Sequence, residues 1–597
     1  MAKASTRIPP NDLLKPYLAA TLLRSTGANG AVLLRELISQ ATTIIVDSRR
    51  SVVETFRANK LDGLEMQALV YKHRRLSSWA NDEFYDETHE LIVFAVKADF
   101  IALCCSEPSA RDRLVRKLTG CSTLPRLLLE QAFVGTQATA MWLSGTHTPT
   151  ASKANAKAMT GPALEFALDP LGDQSFYYSA VKSRGSYDPD IAVGTSPSAS
   201  RIWVNRPKDW SKFGDELNAV LAHCKRAIAS VGPSQPWIQV LAQDAGDIST
   251  ATNPYAVALM APELLSDNEI DAEVRENAIN WAYEAQFEIV AHHGPSPTCL
   301  VKFKGQEIGT VDFTFRTVAE KAITTASWTN SVAGYERERE TFSTLAGRPE
   351  CLRIYYDDGT TLSDGRLFNP AYRDQRFNWV FKDFTGYAIT DEKPKVWGGK
   401  SLADVIANKK TDGSNDNSLF AYVVEKMFPT GWLASDDGSM EFADFVHIDK
   451  ISHKVTLIHV KGSNKSSASR EVSVSNYEVV VSQAIKNIRH LDRSTLASVL
   501  DAGKQKKISG AVWLDGKKQP NRKQLIKFAK TLKPDHEKCV IVLQPQLTQR
   551  ENDACVGGKP TATRYRIIRM KQLDTLMLSA RLSCGAVGAE FVSIGAG

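Results

Sequence analysis

The amino-acid sequence predicts a multidomain α+β protein, and three features lead to that expectation. The chain has 597 residues, which suffice for about three to five domains of ordinary size. Short apolar runs of strand length are interspersed with segments of helical periodicity along the chain. The hydrophobic share of 43% and the charged share of 23% are ordinary for a globular protein, which excludes a wholly disordered, collagen-like or coiled-coil chain.

Three domains are predicted. Residues 1–232 form a mixed α/β domain of unknown role, residues 233–395 a mixed α/β middle domain with a connector, and residues 396–597 a third domain. The first boundary is placed at the Pro-rich stretch Gly232-Pro233-Ser234-Gln235-Pro236, because proline and glycine interrupt regular structure.

The elements of the first domain follow from periodicity. Residues 1–25 are predicted to be helical because leucine and tyrosine recur there at helical spacing. The two apolar runs 91–96 and 100–103 flank a short polar turn and predict a buried β-hairpin. Residues 163–168 are predicted to form a strand and residues 210–229 a helix.

In the middle domain, the pattern predicts strands at residues 256–260 and 352–356 and a helix over residues 269–290. Residues 300–303 and 309–315 are predicted to form a hairpin.

The C-terminal third has the most definite pattern. A helix at residues 417–428 precedes three strand-like runs at residues 430–435, 441–448 and 454–461. A polar loop, a helix at residues 476–491 and a further strand, helix and strand follow. The predicted order is therefore α-β-β-β-α-β with an additional helix and strand.

Several classes of protein lack their sequence signals here. We expect a soluble cytoplasmic protein, because no window approaches about 18 uncharged apolar residues and no apolar signal core follows the N-terminus. The nine scattered cysteines favour neither a disulfide framework nor a zinc site. No GxSxG, GxxxxGK[ST] or HExxH motif occurs, so the serine hydrolase, P-loop motor and zincin classes lack their motifs, and no small-molecule cofactor is predicted.

Positive charge is concentrated in one part of the chain. The net charge is +6, but residues 451–580 contain 24 Lys and Arg against 10 Asp and Glu, a local net charge of +14. A basic segment in an otherwise acidic chain favours a polyanionic partner, most often nucleic acid. If charge is the only criterion, a solvated lysine-rich surface explains the pattern equally well.

The predicted strands bring chemically active side chains together. A tight turn at residues 449–453 pairs residues whose numbers sum to 903, which places Asp444 opposite His459 with Lys461 one same-face step further on. Glu425, on the preceding helix, is within reach of the same patch. Carboxylates bind Mg²⁺, a metal-activated water attacks phosphodiesters, and a lysine stabilises the developing charge. Gln483, on the following helix, would hold that water or a phosphate oxygen.

These residues and their order resemble the PD-(D/E)xK phosphodiesterase superfamily. The resemblance covers residues 400–545 and rests on Asp444, the His459-Val460-Lys461 motif and the α-β-β-β-α-β order. It implies a restriction-endonuclease-like α/β/α sandwich with a mixed central sheet. It also implies a nuclease that requires Mg²⁺ or Mn²⁺, with DNA favoured over RNA as its substrate.

The resemblance also assigns roles to single residues. Asp444 would be the first-motif acid and a metal ligand, Lys461 the catalytic lysine, Glu425 the helix-borne acid and Gln483 the glutamine of the next helix. The family usually has Asp or Glu where this chain has His459, and imidazole suits Mg²⁺ poorly. A long N-terminal region fused to such a domain implies a bacterial antiviral defence or restriction effector, with a helicase, ATPase or other defence protein as its partner.

Basic residues of the C-terminal third are predicted to contact a nucleic-acid backbone. They are Lys486, Arg489, Lys504, Lys506, Lys507, Lys517, Lys518, Arg522 and Lys523.

Purely structural roles remain open for the site residues. Asp444 would then be a strand acid bonded to backbone N–H groups, and His459 a core histidine whose hydrogen bonds are all made. Lys461, Glu425 and Gln483 would be ordinary surface side chains. Two other functions also stay open. One is a catalytically inactive nucleic-acid-binding or assembly module, and the other is a regulatory protein whose N-terminal region senses a partner.

Overall fold

The structure is a computed structural model. It describes the following residues: 6–10, 12–57, 63–77, 83–148, 151–229, 240–260, 272–318, 320–370, 372–394, 402–407, 416–436, 442–503, 511–557 and 562–597. The chain divides into two compact units, Met1–Leu168 with Gly172–Tyr372, and Asp169–Leu171 with Arg373–Gly597. The first unit contains three sheets and the second contains one, so the protein is a multidomain mixture of helices and sheets.

The N-terminal part of the first unit is built on a twelve-stranded sheet in which every pairing is antiparallel except β1 with β3. Its strands are β1 (Thr6–Arg7), β2 (Ala19–Ser25), β3 (Arg50–Arg57), β4 (Leu64–Leu76), β5 (Tyr85–Lys97), β6 (Phe100–Cys105), β7 (Cys121–Thr123), β8 (Gln137–Gly145), β9 (Ala156–Thr160), β10 (Phe176–Arg184), β11 (Val193–Ser196) and β12 (Arg201–Trp203). Four helices pack on it: α1 (Gly30–Ile45), α2 (Pro108–Lys117), α3 (Arg126–Phe133) and α4 (Trp210–Ala229).

The prediction of this sheet is right for the β5–β6 hairpin and for α4, and wrong for the first 25 residues. The segment predicted as a helix contains β2, which pairs with β6 and β12. Leu22 and Leu23 are both buried, in separate cores on the two sheet faces. Helices cover both faces, so leucines occur without the alternation that marks a half-exposed strand. Residues 164–166, predicted as part of a strand, form a 3₁₀ turn.

The rest of the first unit contains two smaller sheets. The five-stranded sheet has the order β13 (Gln243–Gly246), β21 (Arg366–Asn369), β20 (Thr361–Ser363), β19 (Leu352–Tyr356) and β14 (Pro254–Leu259), and the four-stranded meander consists of β15 (Ala285–His293), β16 (Ser296–Phe303), β17 (Gln306–Val318) and β18 (Lys321–Thr329). Helices α5 (Ala272–Glu284) and α6 (Glu336–Ala346) share their core, in which Trp281 stacks on Phe303 at 4.6 Å between ring centroids. The helix predicted over residues 269–290 ends at Glu284, where β15 begins.

The second unit has one mixed eight-stranded sheet with helices on both faces. In spatial order its strands are β22 (Val380–Lys382), β29 (Ala589–Ala596), β28 (Lys538–Thr548), β25 (Val455–Val460), β24 (Phe445–Ile448), β23 (Trp432–Ser435), β26 (Val512–Leu514) and β27 (Lys517–Lys518). The helices are α7 (Leu402–Ala407), α8 (Leu419–Tyr422), α9 (Ser475–Asn487), α10 (Arg493–Gly503), α11 (Lys523–Ala529), α12 (Gln549–Val556) and α13 (Arg564–Gly585).

Strand directions divide this sheet into two halves. Neighbours from β25 to β27 are antiparallel, whereas β25, β28, β29 and β22 run parallel. Helix α8, which continues as a π-helical turn over Val423–Met427, packs on the face that carries Phe445 and Ile458. Helices α9 to α11 pack on the opposite face, over Val446 and Leu457. No described helix is both long and apolar enough to span a membrane.

Candidate functional site

The hairpin that carries the predicted site has the predicted register. In β24 and β25, Phe445 is paired with Ile458 and Ile448 with Val455, so paired numbers sum to 903. The Asp449 carboxylate at the turn accepts hydrogen bonds from the backbone N–H groups of Ile451 and Ser452, at 2.8 and 2.7 Å. Such a local cap determines where the chain reverses and therefore which residues pair. Continued by one residue, the register places Asp444 opposite His459.

Asp444 lies just before β24 and is 6% exposed. Its Oδ2 accepts a hydrogen bond from the backbone N–H of Val460 at 2.7 Å. This contact is the one expected if Asp444 has the structural role of a strand acid bonded to backbone. It also holds the carboxylate at the end of β25, next to Lys461, as the catalytic role requires. Both readings of Asp444 therefore agree with its position.

A second buried carboxylate extends this site. The pairing of Ser435 with Phe445 continues into a hydrogen bond of 3.0 Å from the Asp436 N–H to the Asp444 carbonyl. Asp436, Asp444 and His459 therefore form a row across three neighbouring strands, on the face covered by α9. The strand predicted at residues 430–435 ends one residue before Asp436, which was not among the predicted site residues; an aspartate directly after a buried strand was the available signal.

Arg522 is not part of a nucleic-acid-binding surface, which corrects the prediction for this residue. It is 2% exposed, and its Nη1 contacts Asp436 Oδ1 at 3.2 Å and the Leu500 carbonyl at 3.1 Å. Its Nη2 also donates to the Ser435 carbonyl. An arginine that bonds three groups of its own fold cannot reach a phosphate, so Arg522 supports the site from within.

His459 is buried and neutral. It is 2% exposed, and its Nε2 makes no hydrogen bond to any described residue. Burial lowers the pKa of this imidazole to about 3, and the positive charge of Lys486 on α9 adds to the effect. A neutral imidazole with an unused ring nitrogen is a possible ligand for a transition metal, and it contradicts the reading of His459 as a fully satisfied core histidine.

This pKa predicts acid-sensitive folding. Unfolded His459 takes up a proton near pH 6.5, whereas folded His459 stays neutral down to about pH 3. Above pH 6.5 His459 is neutral in both states, and the free energy of unfolding is not reduced by this residue. Below pH 6.5 only the unfolded chain protonates His459, so the free energy of unfolding falls by up to about 1.4 kcal/mol per pH unit.

We expect His459→Leu, which cannot be protonated, to show a smaller loss of unfolding free energy between pH 7 and pH 5 than the wild type, by up to about 2 kcal/mol. Urea unfolding in EDTA measures this difference, and the half-buried His453 at the turn before β25 provides the control variant His453→Leu. Parallel curves for wild type and His459→Leu would contradict the low pKa.

Lys461 forms an ion pair with Glu392, an acid that is distant from it in the sequence. Its Nζ lies 3.0 Å from Glu392 Oε2, and its side chain is 46% exposed. The segment that carries Glu392 lies along the end of β25, because the Ser463 N–H donates to the Ile389 carbonyl at 2.7 Å. Lys461 therefore lies at the rim of the site with its charge partly neutralised.

Glu425 is not brought to the Asp444–His459 row. Its helix packs on the opposite face of the sheet, where Val423 and Val424 share a hydrophobic core with Phe445 and Ile458. The Glu425 Oε2 accepts a hydrogen bond from the Tyr387 hydroxyl at 2.9 Å. Helical periodicity predicted the helix correctly, but which sheet face it covers depends on tertiary packing.

The described residues supply only part of a metal site. No three His, Cys, Asp or Glu side chains among them lie close enough together to bind one ion. Asp444 and His459 remain as two neighbouring donors, one oxygen and one neutral nitrogen. Such a pair suits Mn²⁺ better than Mg²⁺, which binds oxygen ligands and retains several waters.

The predicted nucleic-acid contacts are mostly at the surface. Lys486 on α9 and Arg489 in the 3₁₀ turn that follows it are exposed, and Gln483 on α9 is half-buried. Lys517 and Lys523 are exposed too, whereas Lys518 forms an ion pair with Asp404. Lys504, Lys506 and Lys507 lie outside the described residues.

No family model, curated protein or solved structure matches this chain.

Proposed function

We propose that the second unit is a nuclease domain that hydrolyses phosphodiester bonds with a divalent metal ion, in DNA rather than RNA. The observation that carries the proposal is the arrangement of its sheet. Helix α8, the antiparallel strands β23 to β25 and helix α9 follow one another in the chain, and β28 lies parallel to β25 after the intervening elements α10, β26, β27 and α11. Without these four intervening elements the order is α-β-β-β-α-β, which resembles that of a restriction-endonuclease-like fold, and α8 and α9 lie on opposite faces.

The position of the site within this sheet supports the same function. Asp444 and Lys461 lie where β25 ends, so an acid and an ammonium stand beside one exposed rim. A divalent ion held by Asp444 and His459 would polarise a water and a phosphate oxygen. Lys461 would stabilise charge on the phosphate, and Glu392, its present partner, would be displaced by that phosphate.

The sequence contains no P-loop, so any unwinding of a duplex requires a separate ATPase. A helicase or another protein of an antiviral defence or restriction system is therefore the proposed partner.

Metal replacement tests the proposal. Protein dialysed against EDTA should not cut supercoiled plasmid. Cutting should return with Mn²⁺ at least as well as with Mg²⁺, because the imidazole nitrogen of His459 is a better ligand for Mn²⁺ than for Mg²⁺. Cutting that persists in EDTA, or that returns with neither ion, would contradict a metal-dependent nuclease.

A second function has its own support. Lys461 is engaged by Glu392, and the described residues do not form a three-donor metal group. Both observations favour an inactive nuclease fold that binds nucleic acid as a regulatory subunit. Duplex binding in EDTA that depends on Lys486 and Arg489, together with no cutting in either metal, would establish this alternative.

A further inference from the structure

The first unit contains a cavity that the proposed nuclease function does not use. Its volume is about 830 Å³, and it lies over the twelve-stranded sheet, lined from β2, β5, β6, β8, β10 and β12. Sites for small molecules in proteins commonly enclose about 300–1,000 Å³. The size therefore fits one bound molecule of moderate size.

Aromatic rings form part of the wall. Trp142 and Trp203 meet edge to face with ring centroids 6.2 Å apart, and about a third of Trp142 is exposed. Tyr17, which is mostly exposed, lies at the rim. The Trp203 indole lies against Gly194, where a Cβ would come within 1.9 Å of the ring, so the absent side chain of Gly194 provides the space for this indole. Large flat faces on a rigid sheet favour a planar ligand.

The charged residues of the wall have one sign. Arg111, Arg201 and Arg206 line the cavity, and no Asp or Glu belongs to its described lining, although Arg111 pairs at 3.0 Å with Asp112, which lies outside that lining. The guanidinium carbon of Arg206 lies 4.7 Å from the Tyr17 ring centroid, which puts a cation and an aromatic face side by side. Guanidinium groups favour phosphate because their N–H groups match two of its oxygens.

The two thiols of the wall do not point to covalent chemistry. Burial raises the pKa of Cys104 and of Cys105 to about 12, so both are neutral thiols at physiological pH. A thiol is a poor nucleophile compared with a thiolate, and these side chains act as apolar surface.

We propose that this cavity binds a nucleotide, with its base against the Trp142, Trp203 and Tyr17 rings and its phosphate at the arginines. The joint presence of aromatic faces and arginine side chains on one wall carries this inference, because base stacking and phosphate pairing are the two contacts that nucleotides offer. The nucleotide is either free or part of a single strand. This function is separate from the proposed cleavage in the second unit.

Fluorescence titration of the full chain in EDTA tests the proposal. The probes are ATP, GTP and a fluorescein-labelled ten-base single-stranded DNA. We expect at least one probe to bind and to quench tryptophan emission. Saturation by ATP or GTP identifies a free nucleotide, and saturation only by the oligonucleotide identifies a nucleotide within a strand. No binding by any probe at millimolar concentration would overturn the proposal.

Two variants and a control separate this cavity from the basic surface of the second unit. Arg206→Glu and Trp142→Ala should each weaken the binding by about tenfold or more, because removing a central aromatic or arginine contact commonly has that effect. Arg184 is exposed on β10 and does not line the cavity, so Arg184→Glu should bind like the wild type. Equal affinity in all four proteins, or an equal loss in the control, would overturn the assignment to this cavity.

Discussion

Asp444→Asn and Lys461→Met should each lower the rate of metal-dependent plasmid cleavage by about 100-fold to 1,000-fold, the usual cost of losing one group that stabilises a charged transition state. Asparagine retains an oxygen that can accept the hydrogen bond from the Val460 N–H, so the fold is preserved while the negative charge is lost. Lys461 is half-exposed with a single described ion pair, so its replacement should leave thermal stability nearly unchanged.

Single-turnover cleavage in Mn²⁺ measures the effect. Lys465→Met and Asp535→Asn are the matched controls, because both residues are exposed in the same unit. If Asp444→Asn and Lys461→Met cut at the control rate, the proposed site is wrong, whatever the metal dependence of the activity.

Arg522→Met should lower the free energy of unfolding of the second unit by about 3–5 kcal/mol, because it leaves the buried Asp436 carboxylate without its ion-pair partner. It also removes the bonds to the Leu500 and Ser435 carbonyls, which join β23 to α10 and α11. The double variant Asp436→Asn with Arg522→Met should recover part of this loss, since no unpaired charge then remains buried.

Denaturant unfolding followed by circular dichroism gives these values. The exposed neighbour Lys523→Met is the control and should change the unfolding free energy by no more than about 0.5 kcal/mol. A large loss of DNA affinity in Arg522→Met without any loss of stability would instead favour the surface role that the sequence suggested for this arginine.

Local interactions made parts of this protein predictable from sequence. The register of β24 with β25 follows from one turn, in which the Asp449 side chain caps its own loop. The β5–β6 hairpin and the twenty-residue helix α4 were also predicted, because alternation and helical periodicity are properties of neighbouring residues. The opposed positions of Asp444 and His459 belong to this class.

Contacts between distant residues decided the rest. Arg522 meets Asp436 across 86 positions, and Lys461 meets Glu392 across 69, so no local pattern could show that one cation is buried or that the other is already paired. Which sheet face α8 covers, and hence where Glu425 lies, follows from how Val423 and Val424 fill the core. The sequence by itself therefore determined the hairpin of the site and those elements that have a clear local periodicity. Tertiary packing decided which side chains are buried, which charges are paired and on which sheet face each side chain lies. The free energies of burial and of ion pairing depend on groups that come together only when the chain folds.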